Sequence, residues 1–70
     1  MMENFIPLTS MGQQRILADM AAFHAMRLKR DGASALKISE LELAQPPAMR
    51  MYFRCRLKYW QKLYSVVFSL

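Results

Sequence analysis

PAMRMYFRCRLKYWQKLYSVVFS, residues 47–69, decides the fold. Arg50, Arg54 and Lys58 recur every fourth position, and Gln61 and Ser65 continue the row, so at 3.6 residues per turn all five share one side of a helix. Two adjoining rows are apolar. One runs Met49, Phe53, Leu57, Trp60, Tyr64, Val67; the other runs Tyr52, Cys55, Tyr59, Leu63, Val66, Leu70. Spacings of three and four throughout predict one amphipathic helix over 47–69, apolar around more than half its girth. Pro46-Pro47 breaks the chain ahead of it, and Pro47 suits a first helical turn.

Working outward, residues 33–47 read ASALKISELELAQPP. They predict a short helix over 34–44, packed through Leu36, Ile38, Leu41 and Leu43. Ser34 is one candidate cap, and Ser39 with Glu42 has the capping-box spacing. KISELEL also alternates apolar and polar residues, as a strand would. No second convincing strand exists to pair with it unless YSVVFSL serves, so helix is the preferred reading. Upstream, a first long helix is expected over 10–30, capped by Thr9 or Ser10, with Ile16, Leu17, Met20, Phe23, His24 and Leu28 on its apolar face. Met26 falls outside that face, and Arg27 falls within it, its stem able to bury while the guanidinium reaches water. Asp31-Gly32 ends this helix, with Gly32 suited to a left-handed cap. Residues 1–8, MMENFIPL, read as an extended lead-in because Pro7 disfavours helix at Ile6.

The expected fold is therefore all-α, one small domain over 1–70. Its two long helices would form an antiparallel hairpin joined by a short helical connector. Seventy residues bury a limited share of their surface, and a single cysteine excludes an intrachain disulfide. Self-association is the remaining remedy, so the domain is expected to dimerise into a helical bundle. The core or dimer interface would comprise Tyr52, Phe53, Arg56, Tyr59, Trp60, Leu63, Tyr64 and Val67. Arg56 lies within the apolar arc and reads as the edge between two sub-faces, in preference to an ion-pair partner of Glu40, Glu42 or Asp19.

Charge is unevenly distributed. Over residues 1–45, five cations (Arg15, Arg27, Lys29, Arg30, Lys37) balance five acids (Glu3, Asp19, Asp31, Glu40, Glu42). Residues 46–70 hold Arg50, Arg54, Arg56, Lys58 and Lys62 and no acid, which accounts for the whole net charge of +5. A field of one sign attracts acidic protein surfaces, nucleic acid or anionic lipid. The partner-binding face is expected to be Arg50, Arg54, Lys58 and Lys62, with an acidic protein surface as the preferred partner. The runner-up is a DNA-binding regulator of helix-turn-helix type using the same helix. Pro46-Pro47 in place of the usual turn, and the length and apolar character of that helix, count against it. A membrane-surface helix ranks third, since the first helix offers a partner for the same apolar side.

Catalysis finds little support. His24 and Cys55 are the only nucleophile–base candidates. Each falls on an apolar face where core packing is the ordinary reading, although Arg54 and Arg56 flank the thiol. One Cys and one His do not make a zinc site. No Gly-rich phosphate loop is present. No catalytic residue, metal or cofactor is therefore expected. The start of the chain carries Glu3 and no basic region ahead of an apolar core, and the sulfur is mostly methionine, which together suggest a cytoplasmic protein. In size and in lack of a reaction centre the chain resembles small phage or mobile-element proteins that switch off a host machine, a compositional likeness that fixes no target.

Overall fold

The computed structural model describes residues 10–68, with side chains over 11–65. The expected lead-in over 1–8 and the Thr9 cap lie outside these residues, and Ser10 is already helical. The described chain is all-helical. It comprises α1 (Ser10–Arg30), α2 (Ala35–Leu43), one 3-10 turn (Pro47–Met49) and α3 (Arg50–Phe68). The minority strand reading of 36–43 is thereby set aside.

Local chemistry sets the boundaries. The carbonyls at the end of α1 are satisfied by a Schellman arrangement, in which Gly32 N–H donates to Lys29 O at 3.1 Å and Ala33 N–H to Leu28 O at 2.9 Å. This requires a left-handed residue, and Gly32 sits at φ +98°. Ser34 is extended and caps α2, its Oγ accepting from Lys37 N–H at 3.2 Å. The Ser39–Glu42 capping box is not used, because Ser39 lies inside α2. Pro46-Pro47 diverts the chain through the 3-10 turn before α3 begins.

The direction of the long helices departs from the expected antiparallel hairpin. Asp19 meets Arg56 and Trp60, with sequence separations of 37 and 41. One turn further on, Phe23 meets Trp60 and Tyr64. Further still, Met26 and Lys29 line the same cavity as Gln61 and Ser65. Contacts that climb together on both helices mean that α1 and α3 run side by side in the same direction. A hairpin would have paired rising numbers with falling ones. The short connector is long enough to carry the chain back, so α2 is the return limb.

The buried face of α1 also differs from the expected one. Ala18, Ala22 and Ala25 are fully buried and Met26 nearly so, whereas Ile16, Leu17 and Met20 are 46%, 63% and 63% exposed. Alanines at i, i+4 and i+7 leave a shallow groove, and the wholly buried ring of Phe53 occupies the core they bound, beside Leu57. Arg27 and His24 lie on the exposed side of α1. On α2 only Ile38 and Leu41 pack against the core; Leu36 and Leu43 point away, since they lie on the opposite side of a helix. The first apolar row of α3 does face inward: Met49, Phe53 and Leu57 are buried and Trp60 and Tyr64 half-buried.

Candidate binding surface

The basic row of α3 is divided between residues that contact α2 and residues that face solvent. Arg50 Nε donates to Gln45 O at 3.3 Å and its Nη2 to Leu43 O at 3.2 Å, while Gln45 Nε2 donates to Leu41 O at 3.1 Å. These are carbonyls that the end of α2 would otherwise leave open. Arg54 Nε meets Glu42 Oε2 at 3.0 Å. The first two members of the row therefore tether α2 to α3. Lys58 and Lys62 are exposed and make no ion pair among the described residues. Of the four residues expected on a partner-binding face, Arg50 and Arg54 are thus engaged with α2, and Lys58 and Lys62 stand exposed.

Arg56 has a different position from the one expected. It is an ion-pair partner, with Nε 2.8 Å from Asp19 Oδ1 and Nη2 3.4 Å from Oδ2. Trp60 Nε1 donates to the same Oδ1 at 2.8 Å. Both partners are about 30% exposed, so the carboxylate is neither buried alone nor fully solvated. Partial burial is the largest single influence on Asp19 and pushes its pKa up. The hydrogen bonds from Arg56 and Trp60 and the Arg56 charge together outweigh it, and the net shift is downward. Bonding to Asp19 raises the pKa of Arg56 against a smaller desolvation effect. The guanidinium also lies 4.3 Å from the ring centre of Tyr59 and 5.3 Å from that of Trp60, within cation–π range.

The aromatic residues form a seam between α1 and α3. Phe23 packs edge-on to Trp60 at 5.1 Å and 80°, and to Tyr64 at 5.7 Å and 64°. Tyr59 meets Trp60 at 5.0 Å and 76°. Of the residues predicted for a core or dimer interface, Phe53 belongs to the core. Trp60, Tyr64 and Arg56 are engaged in the seam, and Tyr52 is half-buried. Tyr59 and Leu63 remain 47% and 40% exposed, and the side chain of Val67 lies outside those described. Sequence reasoning overlooked Phe23 as a member of this seam and named Asp19 only among three possible acids.

A cavity of about 260 Å³ opens between the last turns of α1 and the second half of α3, lined by Met26, Lys29, Arg30, Gln61, Tyr64 and Ser65. Gln61 and Ser65 continue the basic row in sequence and Lys29 lies in the last turn of α1; only the register of the two helices joins them. His24 and Cys55 are both exposed, contrary to the core positions expected. Among the described residues no group of three or more His, Cys, Asp or Glu could hold a metal ion, and no helix is long and apolar enough to cross a membrane. No protein family, characterised protein or solved structure matches the chain.

Proposed function

We propose that the chain is a small non-enzymatic binding protein, a regulator or inhibitor that works as a homodimer and docks its basic surface on an acidic protein. The balance of ion pairs carries this reading. Of the four carboxylates over 10–68, Asp19, Asp31 and Glu42 each meet an arginine. Seven cations, Arg15, Arg27, Lys29, Lys37, Arg50, Lys58 and Lys62, stand outside these ion pairs among the described residues, against the single carboxylate of Glu40. A face needed only for solubility would gain from mixed signs, whereas a single sign speeds encounter with an opposite one and discourages like-charged competitors.

The homodimer rests on the outer side of the fold. Ile16, Leu17 and Met20 on α1 are large, apolar and solvent-facing. The side of α1 with the larger side chains has been left outside and the alanine stripe taken inside, which is favourable when a second copy covers the former. On α3, Tyr59 and Leu63 are likewise exposed. Two such units would complete the helical bundle.

Affinity purification from a nuclease-treated lysate, run with the unaltered protein and with Lys58→Glu/Lys62→Glu, tests the acidic-partner reading. A stoichiometric acidic companion held by the first and lost by the second is expected. Nucleic acid retained from an untreated lysate, with no companion left after nuclease treatment, would favour the DNA-binding alternative. That alternative is weakened by the engagement of Arg50 and Arg54 with α2. Sedimentation at micromolar concentration tests the dimer, and a stable monomer there refutes it.

A further inference from the structure

The cavity between α1 and α3 has a composition that specifies what it would hold. Its floor is Met26, only 3% exposed, whose thioether adapts to varied apolar shapes. One wall is the ring of Tyr64, held in place by its edge-on packing against Phe23. Lys29, Arg30, Gln61 and Ser65 complete a lining that is mainly apolar, to which the two long cationic side chains can contribute their aliphatic stems. At about 260 Å³ the space falls below the range of roughly 300–1,000 Å³ that small-molecule sites occupy. It suits one large side chain better than a cofactor.

We propose that this cavity receives one bulky apolar side chain of an acidic peptide segment, while Lys29, Lys58 and Lys62 pair with carboxylates on either side of that anchor. The inference rests on the acidic-partner reading above and gives it a location. Lys58 precedes Gln61 by three residues and Lys62 precedes Ser65 by three, so each neighbours a lining residue on the helix surface. The acid at the end of α1, Asp31, is already met by Arg30 at 3.5 Å. The end of α1 contributes about half a negative charge, less than the full charge of Lys29 alone. An anchor residue in a preformed pocket with a charged periphery is how many helical proteins capture short segments.

Fluorescence anisotropy with three fluorescein-labelled, end-blocked pentapeptides tests the proposal: Glu-Glu-Trp-Glu-Glu, Glu-Glu-Ala-Glu-Glu and Lys-Lys-Trp-Lys-Lys. The acidic tryptophan peptide should bind at least about tenfold more tightly than the acidic alanine peptide, because a large apolar side chain leaves water. The basic peptide should not bind. Amide chemical-shift changes should centre on Lys29, Gln61 and Ser65. Lys29→Glu, at an exposed site where helicity should persist, should weaken the tryptophan peptide several-fold, and Ser65→Trp should compete for the space. Equal binding of the two acidic peptides would overturn the pocket and leave the acidic-partner reading standing. No binding of either would overturn both. Binding of the basic peptide, or shifts centred on Leu17 and Met20, would overturn the proposal by showing that charge or location had been misread.

Discussion

Asp19→Ala and Asp19→Asn probe the polar node that joins α1 to α3. The carboxylate accepts from Arg56 Nε and from Trp60 Nε1, each at 2.8 Å. Hydrogen bonds to a charged group contribute about 1.5–3 kcal/mol when well buried. Asp19 keeps 30% of its side-chain exposure, and solvent screening brings the ionic part towards about 0.5–1 kcal/mol. Removing the carboxylate also leaves the Trp60 indole N–H without its acceptor. We expect Asp19→Ala to cost about 1–2 kcal/mol. For a domain of this size that lowers Tm by roughly 5–15 °C. Asp19→Asn retains an acceptor for Trp60 and should cost about half as much. Urea denaturation followed by Trp60 fluorescence reads both, since Trp60 is the single tryptophan and sits on the node. The pH dependence gives an independent check. The folded pKa of Asp19 lies below its ordinary 3.8, so the unfolded chain binds the proton more readily. Its contribution is therefore complete above that value and is lost as pH falls through the lower folded one. The gap between the native protein and Asp19→Asn should be constant above about pH 5 and close towards pH 2. A cost below about 0.5 kcal/mol for Asp19→Ala, or a gap that ignores pH, would refute this account.

Four further outcomes are expected. Ala22→Leu, at a site with no exposed surface, should cost about 1–3 kcal/mol by overpacking against the Phe53 core, read by urea denaturation. Leu17→Gln combined with Met20→Gln should preserve helicity by circular dichroism and lower the sedimenting mass, because both side chains lie on the outer face. Gly32→Ala should cost about 1 kcal/mol in thermal melts from its φ of +98° alone, since a Cβ there meets no atom within 4 Å. Arg50→Ala should speed hydrogen exchange across α2 and cost about 0.5–1.5 kcal/mol, with Arg50→Lys rescuing little because an ammonium lacks the forked donors that reach Leu43 and Gln45.

Much of the fold could be read in the sequence wherever local chemistry decides it. The end of α1 follows from Asp31-Gly32, the start of α2 from Ser34, and the inward row of α3 from Phe53, Leu57, Trp60 and Tyr64. The face of α1 could not be read from side-chain size. Ile16, Leu17 and Met20 dominate any hydrophobic pattern, while an alanine stripe contributes little to it; the choice was made by Phe53, which needs a shallow groove. His24 and Cys55 were misplaced for a similar reason, since a position on an apolar arc does not say which half of that arc is covered. The basic row could be recognised as a row, but its division could not. Only the location of the end of α2 shows that Arg50 and Arg54 have carbonyls and Glu42 to hold.

The co-directional arrangement of α1 and α3 gives α2 the role of a ruler. With no tight turn between the long helices to lock them in step, the length of the return limb fixes how far α3 slides along α1. Inserting one helical turn into α2 would translate α3 by about 5.4 Å, enough to carry Arg56 and Trp60 past Asp19 and to shear the cavity walls apart. Chain length in this nine-residue segment is therefore under tighter constraint than its exposed leucines suggest.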